Sequence, residues 1–270
     1  MVRTRVILAV FLASMIAVPC FSQTWGSNPE LNALANYYVK SLNEFMHRFN
    51  AEEIPSFIEE AGGKKDVRQR CIMALFDLDQ VPDGQSEAAQ RILKFDSVVC
   101  ANKTMLHITD PGLYAEARCS FKYKKKEIDL NLILVYDNIH DDYFRWAIAG
   151  VNGLVEAGLI DTAAYGYINP VQHELHFSEL SRAFPHMNGY FAKSRDMDPL
   201  SFLAGLAESG VLLLEGCQSV TYWFTQVPGY VFSVSLHPRL KSNAGWLIHD
   251  LLEVKEDDKP KIIDYLITGK

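Results

Sequence analysis

The stretch "FKYKKKEIDLNLILVYD", residues 121–137, sets three consecutive lysines between two runs that alternate apolar and polar residues. Extended back to Leu113, the two runs lie antiparallel when paired residue numbers add to 249. That register places Phe121 against Ile128, Cys119 against Leu130, Ala117 against Leu132, Ala115 against Leu134 and Leu113 against Tyr136. One whole face is then apolar, as a half-buried hairpin requires. The other face sets Lys122 against Glu127, Ser120 against Asp129 and Arg118 against Asn131, which are favourable cross-strand pairs. Lys124 and Lys125 fall at the tip, where they read as solvated turn residues that discourage edge pairing rather than as an anion site.

Working outward, "YFRWAIAGV" alternates Phe144, Trp146 and Ile148 with Tyr143, Arg145 and Ala147 and extends the meander. "TMLHITD", before the Pro111-Gly112 turn, is expected as an earlier strand. Upstream the period is helical. Asn28 and Pro29 open a long amphipathic helix through Leu31, Leu34, Ala35, Tyr38, Leu42, Phe45, Met46 and Phe49 to Asn50. Asp66 caps a second helix with Val67, Cys71, Ala74 and Leu75 inward, and Ser86 caps a short one running to about Leu93. Downstream, "NPVQHELHFSELSRAF" and "DPLSFLAGLAESG" restart the helix pattern, with Asn169 as a cap and Gly210 as a stop. The strand-like runs "VLLLEG", "SVTYWFTQ", "YVFSVSLH" and "GWLIHDLLEV" follow. A Pro228-Gly229 turn sets Trp223 against Val234, with Tyr222 and Phe224 opposite serines. The fold class is α+β. Helices cover a curved antiparallel sheet over residues 28–155, a second and smaller helix-plus-meander unit spans residues 165–256, and residues 257–270 form a tail. Each meander ends on a Trp-bearing strand, around Trp146 and around Trp246, which reads as a duplicated unit.

The long helix "NPELNALANYYVKSLNEFMHRFN" and the strands ending in "YFRWAIAGV" resemble the nuclear-transport-factor-2-like fold, in which a strongly bent sheet wraps a long helix to form a cone. The resemblance covers residues 28 to about 155 and rests on element order. It extends to uncharacterised exported bacterial proteins carrying such a domain. It implies a pocket at the mouth of the cone and says little about activity.

The N-terminus sets an expectation of export. "MVRTR" is a basic start and residues 6–18 an uncharged apolar run, the pattern of a signal peptide over residues 1–22 with a mature chain from Gln23. That run is too short to span a bilayer and no later one is longer, so no membrane span is expected. Pro19 before Cys20 argues against a lipid anchor. Removing residues 1–22 takes away Arg3 and Arg5 and no acid, leaving 24 basic against 33 acidic side chains and a formal charge of −9. Such a chain repels a phosphate backbone, so nucleic acid is not an expected partner. Cys71, Cys100, Cys119 and Cys217 remain, permitting three complete disulfide pairings. Cys71 shares a helical stripe with Val67 and Ala74, and Cys119 sits on an apolar strand face, so these two read as core thiols.

No catalytic motif stands out and no cofactor is expected. The inward hairpin positions carry no general base, which leaves His107 and Asp110 as the nearest acid–base candidates. His173 and His176 in "HELH" lie one helical turn apart and have zinc-ligand chemistry, but two histidines leave the coordination shell half empty, so the metal expectation is none. Asn102 opens an N-K-T glycosylation sequon. Tyr222, Trp223, Phe224 and Tyr230 cluster about the second hairpin as a ligand or partner surface. The functional expectation is an exported protein that binds a small apolar ligand or another protein without catalysis. The alternative is a hydrolase or lyase using a His/Asp pair or a His-bound metal.

Overall fold

The computed structural model describes residues 38–60, 66–77, 86–140, 143–160, 198–238 and 243–269. Along these run β1 (Tyr38–Val39), α1 (Leu42–Phe49), α2 (Ser56–Glu60), α3 (Val67–Ala74), α4 (Glu87–Asn102), β2 (Leu113–Tyr123), β3 (Lys126–His140), β4 (Tyr143–Asn152), α5 (Pro199–Glu208), β5 (Leu212–Phe224), β6 (Tyr230–His237), β7 (Ala244–Glu253) and α6 (Lys259–Thr268). The fold is α+β. The strands form one sheet in the order β1-β7-β6-β5-β2-β3-β4, antiparallel except for β1, which pairs parallel with β7. The strands of the two expected units therefore share a single sheet, joined where β2 pairs with β5.

The β2–β3 hairpin has the expected register, with Phe121 opposite Ile128, Cys119 opposite Leu130 and Lys122 opposite Glu127. Its outer face carries the expected polar pairing: Arg118 Nη2 and Ser120 Oγ donate to the two oxygens of Asp129, at 2.9 and 3.1 Å. Lys124 and Lys125 form the exposed two-residue tip.

Two hydrophobic clusters pack against the sheet. Phe224, Phe232, Val234 and Tyr230 meet Phe45 and Phe49 of α1, Ile72 of α3 and Phe95 and Val99 of α4. Around Cys119, Phe121, Ile128 and Leu130, the cover includes Leu200, Phe202, Leu203 and Leu206 of α5. The sheet is strongly curled. Trp146 on β4 and Tyr222 on β5 are three strands apart, about 14 Å at the usual spacing, yet their rings lie 6.1 Å apart. Tyr222 in turn lies 5.1 Å from Trp246 on β7.

Several expectations are corrected. The long helix does not run unbroken through residue 38. Tyr38 and Val39 are strand, and α1 starts at Leu42 behind Ser41, whose side chain accepts from the Glu44 amide while Glu44 Oε2 accepts from the Lys40 amide. This is close to a capping box, and it ends the strand by starting the helix. Its partner is Gly245, at φ +91, where a Cβ would lie 2.1 Å from the Val39 carbonyl oxygen. The helix from Ser86 extends to Asn102 rather than Leu93, because Ile92, Phe95, Asp96 and Val99 keep one buried stripe. The following "TMLHITD" is therefore a turn-rich connection, not a strand. "VLLLEG" and "SVTYWFTQ" fuse into the one strand β5. The β5–β6 register is one residue off the expected one: Trp223 faces Ser233, and Phe224 faces Phe232. The loop between them is odd in length and turns around buried Val227. Finally, the expected tail is helix α6. At its start Lys259 Nζ donates to the carbonyls of Thr225 and Val227, at 2.8 and 2.7 Å, clamping that loop. At its end it crosses β4, where Asn152 Nδ2 donates to the Leu266 carbonyl and Gly150 abuts Ile267. No helix among the described residues is long and apolar enough to cross a membrane.

Candidate metal centre

The clearest convergence of chemically capable side chains among the described residues is Asp77, His237 and His249. Each is delivered by a different element. Asp77 directly follows Phe76, which bridges Ile248 in parallel, and the Asp77 amide donates to the Ile248 carbonyl at 3.0 Å. That bond fixes the backbone, and the carboxylate is held at 4% exposure. His237 ends β6 two residues after Ser235, on the same face of the strand. His249 sits in a bulge of β7: Val234 pairs with Ile248 and Phe232 with Leu251, so His249 and Asp250 together stand opposite the single residue Ser233. The extra residue lets both polar side chains leave the apolar face between Ile248 and Leu251, which is a common use of bulges near functional sites. Asp250 takes a 2.8 Å bond from Ser233 Oγ and returns its amide to the same oxygen at 3.1 Å.

Geometry decides what the three residues offer. His237 Nδ1 lies 3.6 Å and His249 Nδ1 3.9 Å from the same oxygen, Asp77 Oδ2. These separations are too long for hydrogen bonds. Ligands of a tetrahedral ion with bonds near 2.1 Å lie about 3.4 Å apart, and the three donor atoms here lie within 4.8 Å of one another, so a contraction would bring them onto one ion. The two imidazole rings are 5.2 Å apart and inclined by 31°. Ser235 Oγ lies 2.9 Å from His237 Nε2. With the proton on Nε2 that bond holds the Nδ1 lone pair toward Asp77, the outer-sphere support typical of metal-bound histidines. Two neutral imidazoles and a carboxylate are a zinc-class donor set with one position left for water or a ligand. His249 is 41% exposed, whereas Asp77 is buried. Asp77 and His249 also border a cleft of about 220 Å³ between β7 and α4, whose wall includes Arg91, Ala88 and Leu252.

The expected site residues lie elsewhere. His107 and Asp110 occupy the α4–β2 connection, where the Asp110 amide bonds the His107 carbonyl at 3.1 Å and Gln226 Nε2 donates to both backbone carbonyls. No hydrogen bond or ion pair joins their side chains. His173 and His176 fall outside the described residues. Phe224 and Tyr230, expected on a surface, are buried at 0% and 3% exposure. Tyr230 packs edge-on against Phe95 and Phe224 stacks on Phe232. Tyr222 and Trp223 are half-buried on opposite faces: Trp223 Nε1 donates to Glu116 Oε2 at 3.1 Å, while Tyr222 joins Trp146 and Trp246. Burial pushes the Tyr222 hydroxyl above its ordinary value.

No protein-family model, curated protein or solved structure matches the chain.

Proposed function

We propose that this is an exported protein whose site is a divalent transition-metal centre formed by Asp77, His237 and His249. The observation that carries the reading is the approach of two imidazole nitrogens to one oxygen of a buried carboxylate, at 3.6 and 3.9 Å. Export is supported by the basic start and the apolar run of residues 6–18. Zinc fits best, because the donor set is nitrogen and oxygen and three protein ligands leave a fourth position open. Metal-assisted hydrolysis is the reaction class this centre would serve, since a zinc-bound water ionises near neutral pH. The Arg91-lined cleft would then take an anionic group of the substrate. The test is calorimetric titration of chelator-treated protein with zinc chloride. One ion per chain with wild-type protein and none with Asp77→Asn is the expected result. Equal binding by both proteins would remove the reading.

A second reading rests on a different observation. Trp146, Tyr222 and Trp246 converge from three separate strands on the concave face, which supports binding of a flat apolar molecule or a protein side chain there. Quenching of tryptophan fluorescence by an aromatic probe, lost in Tyr222→Ala, would support it.

A further inference from the structure

Among the described residues, one pair of cysteines faces across β2 and β5. Cys119 and Cys217 are direct cross-strand partners, and the register shifts on both sides of them. Arg118 pairs with Ser219 and Cys119 with Cys217, so Gln218 is an extra residue. Ser120 pairs with Gly216 and Phe121 with Leu214, so Glu215 is another. Without the Gln218 bulge, Cys119 would face Gln218 instead. The bulge therefore brings the two cysteines opposite one another, while Cys217 Sγ donates to the Ser219 carbonyl at 3.5 Å. Directly opposed residues of antiparallel strands have Cα atoms about 4.5 to 5.5 Å apart, inside the range a disulfide accepts. Cys119 is buried and Cys217 exposed, so one sulfur is reachable from solvent and the other only through its neighbour.

We propose that Cys119 and Cys217 form a redox-modification site, a dithiol that a small-molecule or protein disulfide oxidises to a cross-strand disulfide. The exposed Cys217 sulfur, as thiolate, attacks the oxidant's disulfide and expels one thiolate, leaving a mixed disulfide on Cys217. Cys119 then loses its proton and its sulfur attacks Cys217 Sγ, expelling the second thiolate. The protein loses two protons and two electrons, and the oxidant leaves as two thiols. This order agrees with the environment of Cys119, whose thiol is pushed up to about 11 by burial and then by the adjacent Cys217. It resolves the mixed disulfide and does not initiate attack. The resulting bond would tie the first half of β5 to the sheet. That half is bonded to β2, whereas β6 pairs with β5 only from Thr221 to Phe224.

The experiment treats purified chain with oxidised glutathione, blocks remaining thiols, and maps peptides before and after dithiothreitol. The expected result is a dithiothreitol-sensitive peptide pair joining Cys119 to Cys217. Cys119→Ala should instead accumulate glutathione on Cys217 at least tenfold above wild type, and Cys217→Ser should leave Cys119 unmodified. A glutathione adduct on Cys217 that persists equally in wild type and in Cys119→Ala would overturn the proposal. So would recovery of Cys119 as a blocked free thiol after equilibration.

Discussion

Replacing His249 with alanine isolates the metal from the fold. Its side chain is 41% exposed and stands in a bulge, so its removal leaves the apolar pairs Val234–Ile248 and Phe232–Leu251 in place. His249 also stands 3.9 Å from the buried Asp77 carboxylate, so the variant carries a stability change of its own, and each protein is compared with its own metal-free form. Zinc changes the comparison. A ligand that binds only the folded chain at a hundred times its dissociation constant adds about 2.7 kcal/mol. At about 2 to 4 °C per kcal/mol for a chain of this size, wild type should gain roughly 5 to 11 °C. Loss of one of three protein ligands weakens binding by at least about a hundredfold, more than an outer-sphere change does. At the same zinc concentration the variant then gains only about 0.4 kcal/mol, or about 1 to 2 °C. Differential scanning fluorimetry with and without zinc chloride, after chelator treatment, reads all four values. Equal zinc-induced shifts in wild type and variant would refute the reasoning.

Other outcomes follow from the same packing. Leu130, 1% exposed against Cys119, should be severely destabilised by Leu130→Asp, by more than about 4 kcal/mol, while Lys125→Ala at the exposed hairpin tip should stay within about 0.5 kcal/mol; urea melts of the two variants separate core from tip. Gly150→Ala would put a Cβ 2.3 Å from the Ile267 carbonyl oxygen and should cost about 1 to 3 kcal/mol by displacing α6, visible as faster proteolysis after Lys255. The Gly229 amide, and then Lys259, hold the Glu256 carboxyl below the ordinary glutamate range. A carboxylate favoured in the folded state contributes stability above its ordinary titration range, and loses it as pH falls through the lowered folded value. Glu256→Gln should therefore flatten the acid limb of stability against pH while leaving its alkaline limb unchanged.

What was legible in the sequence was the part ruled by short-range periodicity. The β2–β3 hairpin could be read residue by residue because a two-residue turn joins two strictly alternating runs, and a slip of one position would have exposed Leu130 and Phe121. The β5–β6 pairing failed by that one position, because Pro228-Gly229 marks a turn without marking that Val227 is buried inside it. The start of α1 was readable in the S-x-x-E spacing of Ser41 and Glu44, but the apolar stripe running across it from Leu31 to Phe49 hid the break. Helix α6 was hidden by charge. The "KEDDKPK" run reads as solvated, and the carbonyls of Thr225 and Val227, with Glu256 at 3.0 Å, explain why Lys259 is buried. The Asp77, His237 and His249 cluster has no local spacing, since its members come from three segments joined by tertiary contacts. The one local signal is the "HD" pair interrupting "GWLIHDLLEV", where two successive polar residues break the strand pattern as a bulge does. The opposing cysteines were concealed in the same way, by the extra residue Gln218.

The most direct measurement is zinc K-edge X-ray absorption on protein loaded with one equivalent of zinc and washed free of excess metal. The account predicts four nitrogen or oxygen neighbours at about 2.0 to 2.2 Å. Outer-shell scattering should correspond to two imidazoles, falling to one in His249→Ala. Zinc that washes away, sulfur neighbours near 2.3 Å, or a spectrum unchanged in His249→Ala would contradict a centre built from Asp77, His237 and His249.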